Sequence, residues 1–130
     1  MKKAVFVDRD GTLVQDTGYV HKAEDFRLLP NVVEGLEKLK KFMLFVVTNQ
    51  SGIGRGLYKL QDFNKFNAFM VDELKKHEIN IEKIYYCPHK PEDKRTSRPF
   101  HNALLQRHHA RHLRHRSRRH LVSAHPAAGP

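Results

Sequence analysis

Two aspartates one residue apart, Asp8 and Asp10, stand in Val5-Phe6-Val7-Asp8-Arg9-Asp10-Gly11-Thr12-Leu13. Carboxylates this close repel each other and are costly to leave unpaired in a crevice, and a divalent cation relieves both effects. Oxygen donors alone favour magnesium. A second polar cluster, Thr48-Asn49-Gln50-Ser51-Gly52-Ile53-Gly54-Arg55-Gly56, sets hydroxyl and amide donors beside three glycines. Such a loop suits a phosphoryl oxygen, and Arg55 adds a guanidinium able to grip a second phosphate bidentately. Each cluster has a plainer reading: an acidic turn after a strand, or a glycine-rich turn with a solvated arginine. A third pair, Cys87 and His89, has Cys-x-His spacing, half of a tetrahedral zinc site. Alone, it is equally a buried thiol beside a surface imidazole.

The elements that must hold these groups are legible as apolar patterns. Residues 5–7 form a short apolar run ending in Asp8, which reads as a buried strand. Asp8 is thereby placed at a carboxyl strand end, where open α/β sheets keep their ligand crevices. Residues 42–47 are near-continuously apolar, as expected of a strand covered on both faces. Ile79, Ile81 and Ile84-Tyr85-Tyr86 predict a third strand, ending in Cys87-Pro88-His89. Pro30-Asn31 opens a helix with Val32, Val33, Leu36 and Leu39 at helical spacing. Leu60, Phe63, Phe66, Met70 and Leu74 mark a longer amphipathic helix whose stripe is core packing. The polar stretch Val14-Gln15-Asp16-Thr17-Gly18-Tyr19-Val20-His21 predicts an excursion that arches back over the strand ends. The expected fold is a Rossmann-like, three-layer α/β core with parallel strands near 4–8, 42–48 and 83–86, and helices near 31–41 and 60–77. Right-handed crossovers join them.

Charge divides the chain. Residues 1–94 carry 16 Lys and Arg against 14 Asp and Glu, whereas residues 95–130 carry eight arginines and no acid. Of the overall net charge of +10, +8 therefore belongs to the tail and +2 to residues 1–94. Lysines outnumber arginines 13 to 3 up to residue 94, no lysine follows, and seven of the ten histidines lie beyond it. Leu104-Leu105, Leu113 and Leu121-Val122 are too sparse for a fourth strand and its covering helix. The tail is expected to be irregular or a poorly packed helix. It reads as a basic nucleic-acid arm, a histidine-rich metal tract, or the product of a reading-frame change, and the abrupt shift in composition favours the last. The chain thus divides into a core, 1–94, incomplete at its carboxyl end, and a tail, 95–130. One cysteine, Cys87, excludes an intramolecular disulfide and is compatible with a reducing compartment. Residues 4–7 are too few for a signal-peptide core or a membrane span, so a cytoplasmic monomer is the default expectation.

Together the two strand-end motifs resemble the haloacid dehalogenase superfamily of phosphotransferases. Within it, residues 4–93 look most like the heptose-bisphosphate 7-phosphatases and their histidinol-phosphatase relatives. Gly18-Tyr19-Val20-His21 and Tyr85-Tyr86-Cys87-Pro88-His89 point to the heptose branch. The resemblance implies a magnesium-dependent hydrolysis of a phosphorylated sugar in which Asp8 is the nucleophile and Asp10 the acid and base. It implies magnesium on the Asp8 carboxylate and the Asp10 backbone carbonyl, and phosphoryl contacts from Thr48 and Asn49. Asp16, Thr17, Gly18, Tyr19, Gln50 and Ser51 would meet the substrate, with Arg55 a further candidate. It also implies zinc on Cys87 and His89, completed in the family by a Cys-x-Cys pair that this chain lacks. The family's Arg-Lys-Pro motif and late Gly-Asp strand end are missing too, which predicts impaired catalysis and weak or absent zinc. A nucleic-acid module built on the tail is the rival of another class, and it requires salt-dependent duplex binding that deletion of 95–130 abolishes.

Overall fold

The computed structural model describes residues 1–93 and 100–102. Three strands, β1 (Ala4–Asp8), β2 (Met43–Asn49) and β3 (Ile81–Cys87), form a parallel sheet in the order β1-β2-β3. Two helices make the crossovers: α1 (Val32–Lys38) between β1 and β2, and α3 (Leu60–Lys75) between β2 and β3. Between β2 and α3 lies a single helical turn, α2 (Ser51–Gly54). The register sets Asp8 beside Val47 and Asn49 beside Cys87, so all three strands end at one rim.

Both crossovers step the same way across the sheet, and right-handed connections then put both helices on one face. One buried cluster joins Leu36 of α1, Leu44 and Val46 of β2, Ile84 and Tyr86 of β3, and Phe63, Phe66, Met70 and Leu74 of α3. The α3 residues recur at intervals of three and four and are fully buried, as an amphipathic helix on a sheet requires. Asp62 in its first turn accepts a hydrogen bond from the Lys59 backbone N–H at 2.9 Å, tying off one orphan donor. The helix stops where Glu78 turns left-handed (φ 57°) and the Ile79 N–H bonds back to the Leu74 carbonyl. It is thus two residues shorter than the pattern predicts, and α1 likewise stops at Lys38 rather than 41.

Two differences from the sequence reading bear on function. Among the described residues β2 is not covered on both faces: its burial alternates, and the outward side carries Phe45 between Phe6 and Tyr85. The Phe6 and Phe45 rings stack at 5.1 Å, Phe45 and Tyr85 stand 6.3 Å apart, and Phe6 remains 60% exposed. Among the described residues the helices lie on the opposite face. Secondly, the tail does supply a strand: β4 (His101–Asn102) pairs antiparallel with β3 through Tyr86↔His101 and Tyr85↔Asn102. Two residues carry no periodicity, so nothing in the local pattern announces it. The remaining expectations for the tail lie outside the described residues.

Candidate active site

The rim where β1, β2 and β3 end is a cleft of about 350 Å³, floored by Asp8, Asp10, Thr48 and Asn49. Asp16, Gly18 and Tyr19 line it from the loop after β1, and Gln50, Ser51 and Tyr58 from the other side. The sequence-predicted residues therefore converge, with exceptions. Thr17 and Arg55 do not line the cleft. Arg55 is paired with Glu92, Nη2 to Oε1 at 2.7 Å, and that bond draws the Glu92 carboxyl below its ordinary range. Cys87 and His89 are also elsewhere, beside β4 at the end of β3.

The loop is folded by local backbone chemistry. Gly11 adopts φ 77°, and the Leu13 and Val14 N–H groups both donate to the Arg9 carbonyl, closing a tight turn after the strand. Gly18 (φ 85°) and Tyr19 (φ 52°) are left-handed in succession, and the Gly18 N–H donates to Asp16 Oδ1 at 3.0 Å. Val20 is buried, so the loop does return over the strand ends.

Arg9, between the aspartates, reorganises the electrostatics. Its side chain is wholly buried, with Nε 2.8 Å from Asp10 Oδ1 and Nη2 3.1 Å from Oδ2. Nη1 donates to Asn67 Oδ1 at 3.1 Å and Nη2 to the Val20 carbonyl at 3.0 Å, while the guanidinium lies 4.7 Å from the Phe66 ring centroid and 5.5 Å from that of Phe63. A buried arginine with every face occupied is a fixed charge. Gln50 closes the other side of Asp10: Nε2 donates to Oδ2 at 2.8 Å and to Thr48 Oγ1 at 2.8 Å, and its Oε1 accepts from the Tyr58 hydroxyl at 2.5 Å. Tyr58 stacks on His21 at 4.6 Å, and burial pushes its phenol up to about 12.

The mutual repulsion read from the Asp-x-Asp spacing is thus largely met by protein. Asp10 has a guanidinium partner, whereas Asp8 among the described residues accepts only the Arg9 backbone N–H, at 2.9 Å. Its carboxyl is held above the ordinary value, first by burial and then by Asp10 and Asp16. An oxygen-lined cleft with one carboxylate lacking a cation fits a small hard ion, although no three His, Cys, Asp or Glu among the described residues form a ready cage. Arg9, Tyr58, Asn67 and His21 are the site residues that sequence reading missed. A signal existed for one: Asn67 interrupts the apolar stripe of α3 four residues after Phe63, on its buried side.

This architecture is that of haloacid-dehalogenase-like phosphatases: it superposes on the magnesium and phosphate complex of a D,D-heptose 1,7-bisphosphate phosphatase from B. bronchiseptica with a TM-score of 0.68 and 29% identity, covering 74% of this chain and 55% of that one. Over about ninety residues the sequence is similar to heptose-1,7-bisphosphate 7-phosphatases in particular. It is 45% identical over 96 residues to the D-glycero-beta-D-manno-heptose-1,7-bisphosphate 7-phosphatase of Haemophilus influenzae, covering 72% of this chain and 52% of the relative. It is 47% identical over 93 residues to a Thermoplasma volcanium protein named "Probable D-glycero-D-manno-heptose-1,7-bisphosphate 7-phosphatase", covering 70% of this chain and 64% of the relative. The chain therefore spans a little over half the length of these relatives. No family model matches it. Among the described residues no helix is long and apolar enough to cross a membrane.

Proposed function

We propose that this chain carries the nucleophile half of a magnesium-dependent phosphatase acting on a heptose bisphosphate. The observation that carries the reading is Asp8, a carboxylate on the floor of the oxygen-lined cleft that has no cation partner among the described residues. Asp8 attacks phosphorus, the bond from phosphorus to the sugar oxygen breaks, and a proton from Asp10 passes to that oxygen. Water then attacks the aspartyl-phosphate and gives its proton to Asp10, releasing inorganic phosphate and restoring Asp8. Magnesium held by the Asp8 carboxylate and the Asp10 carbonyl would supply positive charge against the developing phosphoryl charge.

Thr48 and Asn49 orient the phosphoryl group, and Asp16, Gly18, Tyr19 and Ser51 meet the sugar. Gln50 is assigned a positioning role, because its amide is committed to Asp10 and Thr48. Residues 95–130 are read as a tail foreign to the family, produced by a change of frame, and the core 1–94 as short of the lysine and aspartate the resemblance implies. Turnover should be depressed, since one preorganised donor alone is worth about 10²–10³ in rate. The lone thiol fits a reducing, cytoplasmic setting.

Single-turnover hydrolysis of both anomers of the heptose bisphosphate, with histidinol phosphate as competitor substrate, tests this. The frame-restored enzyme, resequenced across codons 93–99, should turn over the heptose ester and lose it in Asp8→Asn. Hydrolysis surviving Asp8→Asn defeats the nucleophile assignment, and a preference for histidinol phosphate defeats the heptose reading. Equal rates for the 130-residue chain and the restored enzyme would defeat the claim of impairment.

A further inference from the structure

The Gln50 side chain is buried with both ends of its amide committed, and the direction of each bond follows from the chemistry of the partners. The Asp10 carboxylate offers only acceptors, so the amide nitrogen must face it, and Oε1 is left for Tyr58. An amide oxygen only accepts, so the phenol donates. Burial pushes that phenol up to about 12, which keeps its proton in place at neutral pH. Both amide protons of Gln50 are then spent, one on Asp10 Oδ2 and one on Thr48 Oγ1, each at 2.8 Å. Thr48, receiving that bond, turns its own proton away from Gln50. The proton reaches Asp10 Oδ2 across 3.4 Å, a long contact to an oxygen that already accepts from Gln50 and from Arg9 Nη2 at 3.1 Å. This weakest bond of the set is the one an oxyanion in the cleft can replace, because Thr48 lies on the cleft floor.

We propose that Tyr58 is a positioning residue whose hydroxyl heads a one-way donor chain, Tyr58 to Gln50 to Thr48, that aims the Thr48 hydroxyl proton at a phosphoryl oxygen in the cleft. The proposal rests on the reading of the cleft as a phosphate site and adds to it a group that reading does not use. Each donor in such a chain polarises the next, so the last is a stronger donor than a lone hydroxyl. Tyr58, Gln50 and Thr48 are 6%, 2% and 2% exposed, so water does not compete for the links. Tyr58 is also held as the head of the chain requires. His21 stacks on its ring with centroids 4.6 Å apart, and at Gly52 a Cβ would meet its Cζ at 2.8 Å.

Binding of inorganic phosphate to the full 130-residue chain in excess magnesium, followed by phosphorus NMR, tests this without turnover. Tyr58→Phe keeps the ring and its stacking and removes only the hydroxyl. It should weaken phosphate binding about three- to tenfold, the worth of one net hydrogen bond. Thr48→Val should weaken binding at least as much. In the Thr48→Val background Tyr58→Phe should change affinity less than about twofold, since the chain no longer ends on the anion. An effect of Tyr58→Phe undiminished in that background marks a merely structural role and overturns the proposal, as does unchanged affinity in Tyr58→Phe alone. If the unaltered chain binds no phosphate, the reading of the cleft itself falls, and this proposal with it. Should Tyr58→Phe fail to fold, proton NMR of the unaltered chain decides. The Tyr58 hydroxyl resonance should move downfield as phosphate saturates the cleft, and an unmoved resonance overturns the proposal.

Discussion

Asp8 and Asp10 are the same residue type in opposite circumstances. Burial and two neighbouring carboxylates hold Asp8 above its ordinary 3.8, so folding disfavours its ionised form. Its contribution to stability is full below pH 3.8 and is lost as pH rises through the raised folded value. Asp8→Asn is therefore expected to raise the melting temperature of the metal-free chain at pH 7 and to leave it unchanged near pH 3, by differential scanning calorimetry. Asp10 behaves otherwise, because removing its charge strands a fully buried guanidinium. Asp10→Asn should cost toward the lower end of about 3–5 kcal/mol in urea unfolding, since Arg9 keeps Asn67 and Val20. For Tyr58, held near 12, the protonated phenol is favoured by the fold. Stability from this group persists below the unfolded value of 10.0 and falls as pH rises toward about 12. Tyr58→Phe should remove that alkaline fall, as followed by circular dichroism against pH.

At the scale of elements, α2 couples the cleft to the core through one missing atom. A Cβ on Gly52 would approach Tyr58 Cζ to 2.8 Å and Tyr19 Cδ1 to 2.9 Å. Gly52→Ala is expected to displace Tyr58, break its bond to Gln50 and cost about 1–3 kcal/mol by overpacking. In a double mutant with Tyr58→Leu the losses should be less than additive, measured by denaturant midpoints. The three parallel strands and α3 were legible beforehand because apolar runs and a 3–4 stripe are local signals. Asp8, Asp10 and the Thr48-Asn49 pair were legible for the same reason: they sit at the ends of those runs. What was hidden is tertiary. The resemblance implies that Gln50 meets the substrate, yet its side chain is buried and tied to Tyr58 and Asp10. Arg55, which looks free, is held by Glu92 at a separation of 37 residues. Glycines suggested a loop at 52–56, but a helical turn forms over Ser51–Gly54, and Gly52 is needed for close approach rather than for a left-handed dihedral.

On the whole molecule, the outward aromatic row Phe6–Phe45–Tyr85 is the largest departure from an ordinary covered sheet. Exposed apolar rows of this kind bind hydrophobic dyes. The folded chain should enhance anilinonaphthalene sulfonate fluorescence, and Phe6→Thr should reduce it at a stability cost below about 1 kcal/mol, because only one cross-strand pair is lost. No loss of fluorescence in Phe6→Thr would place the dye elsewhere. Strand order in space, finally, repeats strand order in the chain. During synthesis each new strand meets a partner that has already left the ribosome, and among the described strands none waits for a later one to be inserted between its neighbours. From Ala4 to Cys87 the ribosome needs roughly 4–17 s at 5–20 residues per second. The β1–β2 pair, and with it Asp8 beside the end of β2, can therefore be assembled before β3 has left the ribosome.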